Sequence, residues 1–119
     1  MAKLKTTKIK NIETTNIQMI MKWTDLMPGD ILQYNPAYVE EMLVNPELYS
    51  DEKNHFKKSI GKKLKIMSVT TKIEDTINIT FTDSNAWQWI INNKGLVVGG
   101  LGIFHSSIPI FEIIGLAKE

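Results

Sequence analysis

His55 and His105 are the only imidazoles in this chain, and cysteine is absent. That pair limits the available chemistry. Without cysteine there is no disulfide, no thiolate metal site and no thiol nucleophile. A zinc site needs three or four ligands, and neither histidine sits in a ligand-spaced cluster. Asp51, Glu52 and His55 would share one face of a helix, because residues three and four apart are neighbours. A solvated polar face explains the same pattern. His105 stands beside Ser106 and Ser107, but no Gly-x-Ser-x-Gly elbow surrounds them and adjacent residues do not make a nucleophile–base pair. Serines that satisfy turn backbone explain this run better. Asp30 and Asp83 have no spacing that pairs them. Gly95, Gly99, Gly100 and Gly102 lack both a Gly-Lys-Ser/Thr ending and a strand-to-helix transition, so they allow bends rather than cradle phosphate. The expectation is a non-enzymatic protein with no metal and no cofactor.

Binding is the chemistry that survives. Lys57, Lys58, Lys62, Lys63 and Lys65 form a dense cationic block, and residues 57–72 hold six lysines and no acid. Such a block attracts phosphates by counterion release without reading sequence. It would equally dock an acidic protein surface, or simply discourage addition at a sheet edge. Trp87 and Trp89 flank Gln88 and would share a face if the segment is a strand. Two such rings are either core or, if exposed, a recognition hot spot or base-stacking platform, with Asn85 and Gln88 as nearby polar contacts. All 14 cationic residues are lysine. The missing arginine removes the planar fork that reads guanine edges and clamps phosphate. Partners are therefore expected to be protein first and nucleic acid second.

These side chains need a scaffold. The chain has 119 residues, 43% hydrophobic and 23% charged, with net charge +1. This is ordinary globular composition for one domain. Residues 1–22 carry five lysines and one glutamate and read as a basic extension, an arm or an extra strand. Residues 23–119 form the domain. Polar residues interrupt the basic start, so no signal sequence is visible. The longest apolar run, Gly95 to Phe104, is too short to span a bilayer. A cytoplasmic location is expected, with no membrane association. The isoleucine, lysine and asparagine content suits an A/T-rich genome, a low-GC bacterium or its phage.

Leu26-Met27-Pro28-Gly29-Asp30 is a tight turn, with proline presetting φ and glycine accepting a positive φ. Ile31–Tyr34 reads as a strand. Asn35-Pro36 starts a helix, with Asn35 as cap and Pro36 in the first turn, and 36–59 is a helical excursion. After Gly61 the period becomes two. Leu64–Val69 is a strand, and Ile77, Ile79 and Phe81 alternate with Asn78, Thr80 and Thr82. Glu74-Asp75-Thr76 is the turn between them. Ala86–Ile91 and Leu96–Val98 read as a second hairpin across Asn92–Gly95. Ile110–Ile114 is the last strand. The fold class is mainly β, α+β by content: five to six short antiparallel strands in a closed or partly open barrel, because closure removes exposed edges.

The segments Leu26–Tyr34, Gly61–Val69, Ile77–Asp83 and Phe111–Gly115 resemble, in order and turn chemistry, a small SH3-like β-barrel. The resemblance implies a binding module without catalysis. The Pro28–Tyr34 opening is also similar to the entry of papain-like cell-wall hydrolases, which need the absent cysteine, and of barrel-shaped toxin ribonucleases, which commonly use arginine. Small size, the absence of a catalytic constellation, segregated charge and an amino-acid content suited to an A/T-rich genome together favour a phage or mobile-element accessory protein that binds a host or phage protein. Inhibition of a host factor is one such role. The alternative is sequence-nonspecific nucleic-acid binding through residues 57–65.

Overall fold

Tyr34, from the first strand, lies at the centre of an aromatic core that the rest of the fold is built around. The computed structural model describes residues 22–71 and 75–117. The basic extension, apart from Lys22, and Glu74 of the first hairpin turn lie outside them. Along the chain come a 3-10 turn at Trp23–Asp25, β1 (Ile31–Tyr34), α1 (Pro36–Leu43), α2 (Ser50–Lys58), β2 (Leu64–Thr71) and β3 (Thr76–Phe81). They are followed by β4 (Trp89–Asn92), a second 3-10 turn at Gly102–Phe104, and β5 (Phe111–Gly115). The strands form one antiparallel sheet in the order β4-β3-β2-β1-β5.

Local chemistry explains most of these elements. Asn35 Oδ1 accepts from the Ala37 N–H at 3.1 Å, and Pro36 occupies the first turn of α1, where its missing N–H costs nothing. In α2 the Glu52 carboxylate reaches back to the Tyr49 N–H at 2.8 Å. β3 alternates as its sequence does, with Ile77, Ile79 and Phe81 buried. β2 is bent by an irregularity between Ile66 and Ser68. Its first residues pair with β1, Leu32 opposite Leu64, while its second half pairs with β3. The bend lets one strand serve both halves of the sheet.

The Pro28-Gly29-Asp30 turn is locked through Asp30, which is only 1% exposed. Its Oδ2 accepts from the Met27 N–H at 2.9 Å and its Oδ1 from the Ala117 N–H at 2.6 Å. A buried carboxylate is tolerable when its lone pairs are met, and here it staples the end of β5 to the start of β1. Asp30 is therefore a structural carboxylate.

The sheet is not closed into a barrel, so the closed form of the expectation is corrected to an open five-stranded sheet. The predicted second hairpin shrinks to a single bridge, Ile91 with Val97. Gly95 and Gly99 bracket that segment and leave too few residues for a strand. Gly95 has φ +81°, and a Cβ there would come within 2.7 Å of the Trp23 indole. Trp23 thus packs beneath the turn that follows β4. Ala86–Gln88 are not strand either. The Asp83 carboxylate accepts from the Asn85 N–H at 2.8 Å and curls the chain into a turn first. The last strand starts at Phe111, not Ile110.

One core fills the space between sheet and helices. Leu32, Tyr34, Leu64, Ile66, Ile79, Ile91 and Phe111 come from strands, and Tyr38, Met42 and Phe56 from helices. Phe56 meets Tyr34 and Tyr38 edge-on, at ring-centroid separations of 5.3 and 5.9 Å. These separations fall within the preferred range for aromatic pairs.

Candidate functional site

Trp87 is half-buried and lines two adjacent clefts. The sequence brings it there indirectly. The Asp83 turn ends one residue short of Trp87, and β4 begins two residues after it, at Trp89. The two indoles lie 5.9 Å apart, but their fates differ: Trp89 is core at 5% exposure, while Trp87 reaches the surface.

His55, from α2, stacks on Trp87 at 3.8 Å with an interplanar angle of 6°. Its Nε2 lies 2.9 Å from the Tyr34 hydroxyl, and that hydroxyl accepts from Trp89 Nε1 at 3.1 Å. Donor arithmetic assigns the protons. An indole N–H can only donate, so the phenol oxygen accepts from it and gives its single O–H to His55. Nε2 must then be unprotonated, which makes His55 the neutral Nδ1–H tautomer. Protonation at Nε2 would instead leave the buried phenol O–H without its acceptor. The acidity of the ring agrees: burial holds the His55 pKa below its ordinary value, the Lys62 cation lowers it further, and Asp83 partly offsets both. Burial also pushes the Tyr34 phenol far above its ordinary value, partly countered by the Trp89 hydrogen bond, so it remains a donor. Trp89, Tyr34, His55 and Trp87 are thus one chain of contacts running from the core to the surface.

On one side of Trp87 lies an apolar cleft of about 290 Å³, lined by Trp89, Ile90, Gly99, Leu101 and Phe104 with Trp87 and Gln88. Its far wall is tied to α1 and to the turn that follows it. Tyr38 Oη donates to the Phe104 carbonyl at 2.6 Å and Asn45 Nδ2 to the Ile103 carbonyl at 3.1 Å. Its floor depends on Gly99, where a Cβ would sit 2.6 Å from the Ile90 side chain. On the other side lies a polar cleft of about 520 Å³, where Asp51, Asn54, His55, Lys58, Lys62 and Asn85 meet Trp87. Lys62 pairs with Asp83 at 2.5 Å, joining the basic block to the acidic segment that follows it. This contact holds Asp83 below the usual carboxylate range, with help from the Asn85 N–H.

Of the basic residues singled out from sequence, Lys58 and Lys62 line the polar cleft, whereas Lys57, Lys63 and Lys65 are exposed away from its lining. β2 is an interior strand, so its one lysine, Lys65, does not protect a sheet edge. His105 is exposed, and Ser106 serves its turn: its Oγ accepts from the Ile108 N–H and donates to Glu41. Among the described residues no group of three or more His, Asp or Glu side chains could hold a metal ion. Nor is any helix among them long and apolar enough to cross a membrane. Sequence reasoning missed Leu101 and Phe104, and read His55 only as part of a solvated helix face rather than as a partner of Trp87. The aromatic run His55-Phe56 on an otherwise polar helix was the signal for that stacking. Compared with known proteins, the chain matches no family model, no curated protein and no solved structure.

Proposed function

We propose that this chain is a non-enzymatic binding module that captures a protein partner across the Trp87 ridge. The observation that carries this reading is the pre-positioned indole between two clefts of opposite character, anchored to the core through His55, Tyr34 and Trp89. Rigid aromatic anchors beside apolar pockets are the usual centres of protein–protein affinity. The strand order, with β2 bent across both halves and β5 beside β1, supports the SH3-like resemblance. A phage or mobile-element accessory role in the cytoplasm remains the reading that the isoleucine, lysine and asparagine content favours. Nucleic-acid binding through residues 57–65 has less support. One face of Trp87 is covered by His55, and Trp89 is buried, so the paired two-ring stacking platform is absent.

The test is affinity capture from a low-GC bacterial lysate, with and without nuclease, using the wild type and Leu101→Asp. Leu101 is 62% exposed, so the change leaves the core untouched. A partner retained after nuclease and lost with the variant supports the proposal. Capture that vanishes with nuclease, or turnover of a small substrate in the clefts, overturns it.

A further inference from the structure

We infer that His55 is a proton-operated cover on Trp87. Neutral, it lies flat on the indole and is held there by the Tyr34 phenol; protonated, it swings off and opens that indole face to the polar cleft. The movement is a property of the free chain, and its consequence for capture rests on the binding-module reading. The imidazole lies parallel to the indole, 3.8 Å away and 6° from coplanar. One hydrogen bond, from the Tyr34 hydroxyl to Nε2, fixes its rotation. The phenol oxygen is itself tethered in the core by the Trp89 N–H, so it has a set position and a single proton to give. An imidazolium carries hydrogen on both nitrogens, so turning the ring over still presents a donor to the phenol. With the charged ring in place the phenol O–H would have no acceptor. Tyr34 is 2% exposed and cannot turn to water. His55 is half-buried and lines the polar cleft of about 520 Å³, so the imidazole is the group with room to leave. Water entering behind it then accepts the phenol proton.

The surrounding charges do not hold an imidazolium in the stack. Lys62, in the loop after α2, repels it, and Asp83, in the turn after β3, attracts it but is already engaged by Lys62. On its own helix, Asp51 and Lys58 line the same cleft with opposite signs, and the Glu52 carboxylate is turned back to the Tyr49 N–H. Burial acts with Lys62 to disfavour the charged ring. The attraction of a cation for an indole face opposes the movement, but at a half-exposed site it is weaker than the penalty for a buried hydroxyl without an acceptor. The stacked ring therefore binds a proton less tightly than the free ring, whose ordinary pKa is 6.5. The covered form is fully favoured above that pH. Below it, each pH unit shifts the balance toward the open form by up to about tenfold.

The test is a pH titration of the isotope-labelled free protein from 7.5 to 5.0, followed at the His55 ring C–H signals and the three indole N–H signals. At pH 7.5 the ring current of Trp87 should place the His55 signals upfield of free imidazole. On protonation, with a midpoint below pH 6.5, that displacement should disappear and the Trp87 N–H should move with the same midpoint. Trp23, which packs under the turn at Gly95, should stay in place. Tyr34→Phe removes the hydroxyl that forces the movement, so in that variant the protonated ring should keep its upfield displacement. In His55→Gln the Trp87 signal should be flat over the same range. Persistent displacement of protonated His55 in the wild type, no movement of either signal above pH 5.0, an equal loss in Tyr34→Phe, or an equal Trp87 shift in His55→Gln overturns the inference. A partner captured at pH 7.5 separates the cover from the reading beneath it. If His55 stays stacked at low pH, the cover falls and the capture result stands. If His55 unstacks while the partner is held equally well at pH 5.5, the cover stands and the ridge is not where the partner binds.

Discussion

Tyr34→Phe removes one oxygen atom and breaks two hydrogen bonds at the base of the Trp87 ridge. The ring itself should stay in place. It stacks on Phe111 at 5.3 Å and meets Phe56 edge-on, and phenylalanine preserves both contacts. The buried Trp89 Nε1–H, now 3.1 Å from the phenol oxygen, would be left without an acceptor. Leaving a buried donor unsatisfied costs about 1–3 kcal/mol, whereas replacing both partners by apolar groups can be nearly neutral. His55 Nε2 loses its donor as well, at less expense because His55 is half-buried and water can reach it. We expect a loss of about 2 kcal/mol, which in a domain of this size lowers the midpoint of thermal unfolding by roughly 8–12 °C. Trp89→Phe should be costly alone, through lost volume and an unmatched phenol, but the double variant should recover part of the sum. A coupling of about 1 kcal/mol in the urea-unfolding cycle is the expected signature. If Tyr34→Phe costs under 0.5 kcal/mol, or if the two changes are additive, the network does not support the ridge and the reasoning fails.

Further outcomes follow from the same contacts. His55 is neutral in the fold, with a pKa held below the ordinary 6.5. The unfolded chain therefore takes up a proton first as pH falls, so the His55 contribution is intact above about pH 6.5 and is lost progressively below it. Melts at pH 7.5 and 5.5 should show a drop that is smaller in His55→Gln, and an undiminished drop in that variant would remove His55 as its source. Asp30→Asn turns one acceptor into a donor facing an N–H, and should cost about 2–3 kcal/mol by denaturant titration; a change within 0.5 kcal/mol would mean that the staple to Ala117 is dispensable. Gly95→Ala combines a left-handed backbone with a Cβ against the Trp23 indole. It should cost more than about 1 kcal/mol and shift the Trp23 emission, and an unaltered emission spectrum would contradict that packing.

Much of the scaffold was legible because its signals are local. Asn35-Pro36 caps a helix wherever it occurs, and the alternation of Ile77, Ile79 and Phe81 leaves only one face to bury. The Pro28-Gly29-Asp30 turn was readable for the same reason, although the role of Asp30 was not, because its second partner is Ala117, far along the chain. The candidate site was only half legible. Two tryptophans flanking one glutamine announced a feature, but their apparent equivalence rested on an extended 86–91 segment. The Asp83 turn removed that premise, leaving one ring buried and the other on the surface. His55 meets Trp87 across more than thirty positions, and Leu101 and Phe104 arrive on a 3-10 segment pinned to α1 and to Asn45 just after it. Such meetings depend on which elements pack together, and no local periodicity encodes that. Barrel closure was not legible either: alternation specifies a buried face, not whether β4 and β5 at the two ends of the sheet meet.

The most direct test of the account is an amide and indole spectrum of the labelled protein on addition of its captured, unlabelled partner. The account predicts a contiguous footprint over residues 54–58, 85–90 and 99–104, with the Trp87 indole among the most perturbed signals. A footprint confined to the outer face of β2 and β5, or one that appears only with nucleic acid, would contradict it.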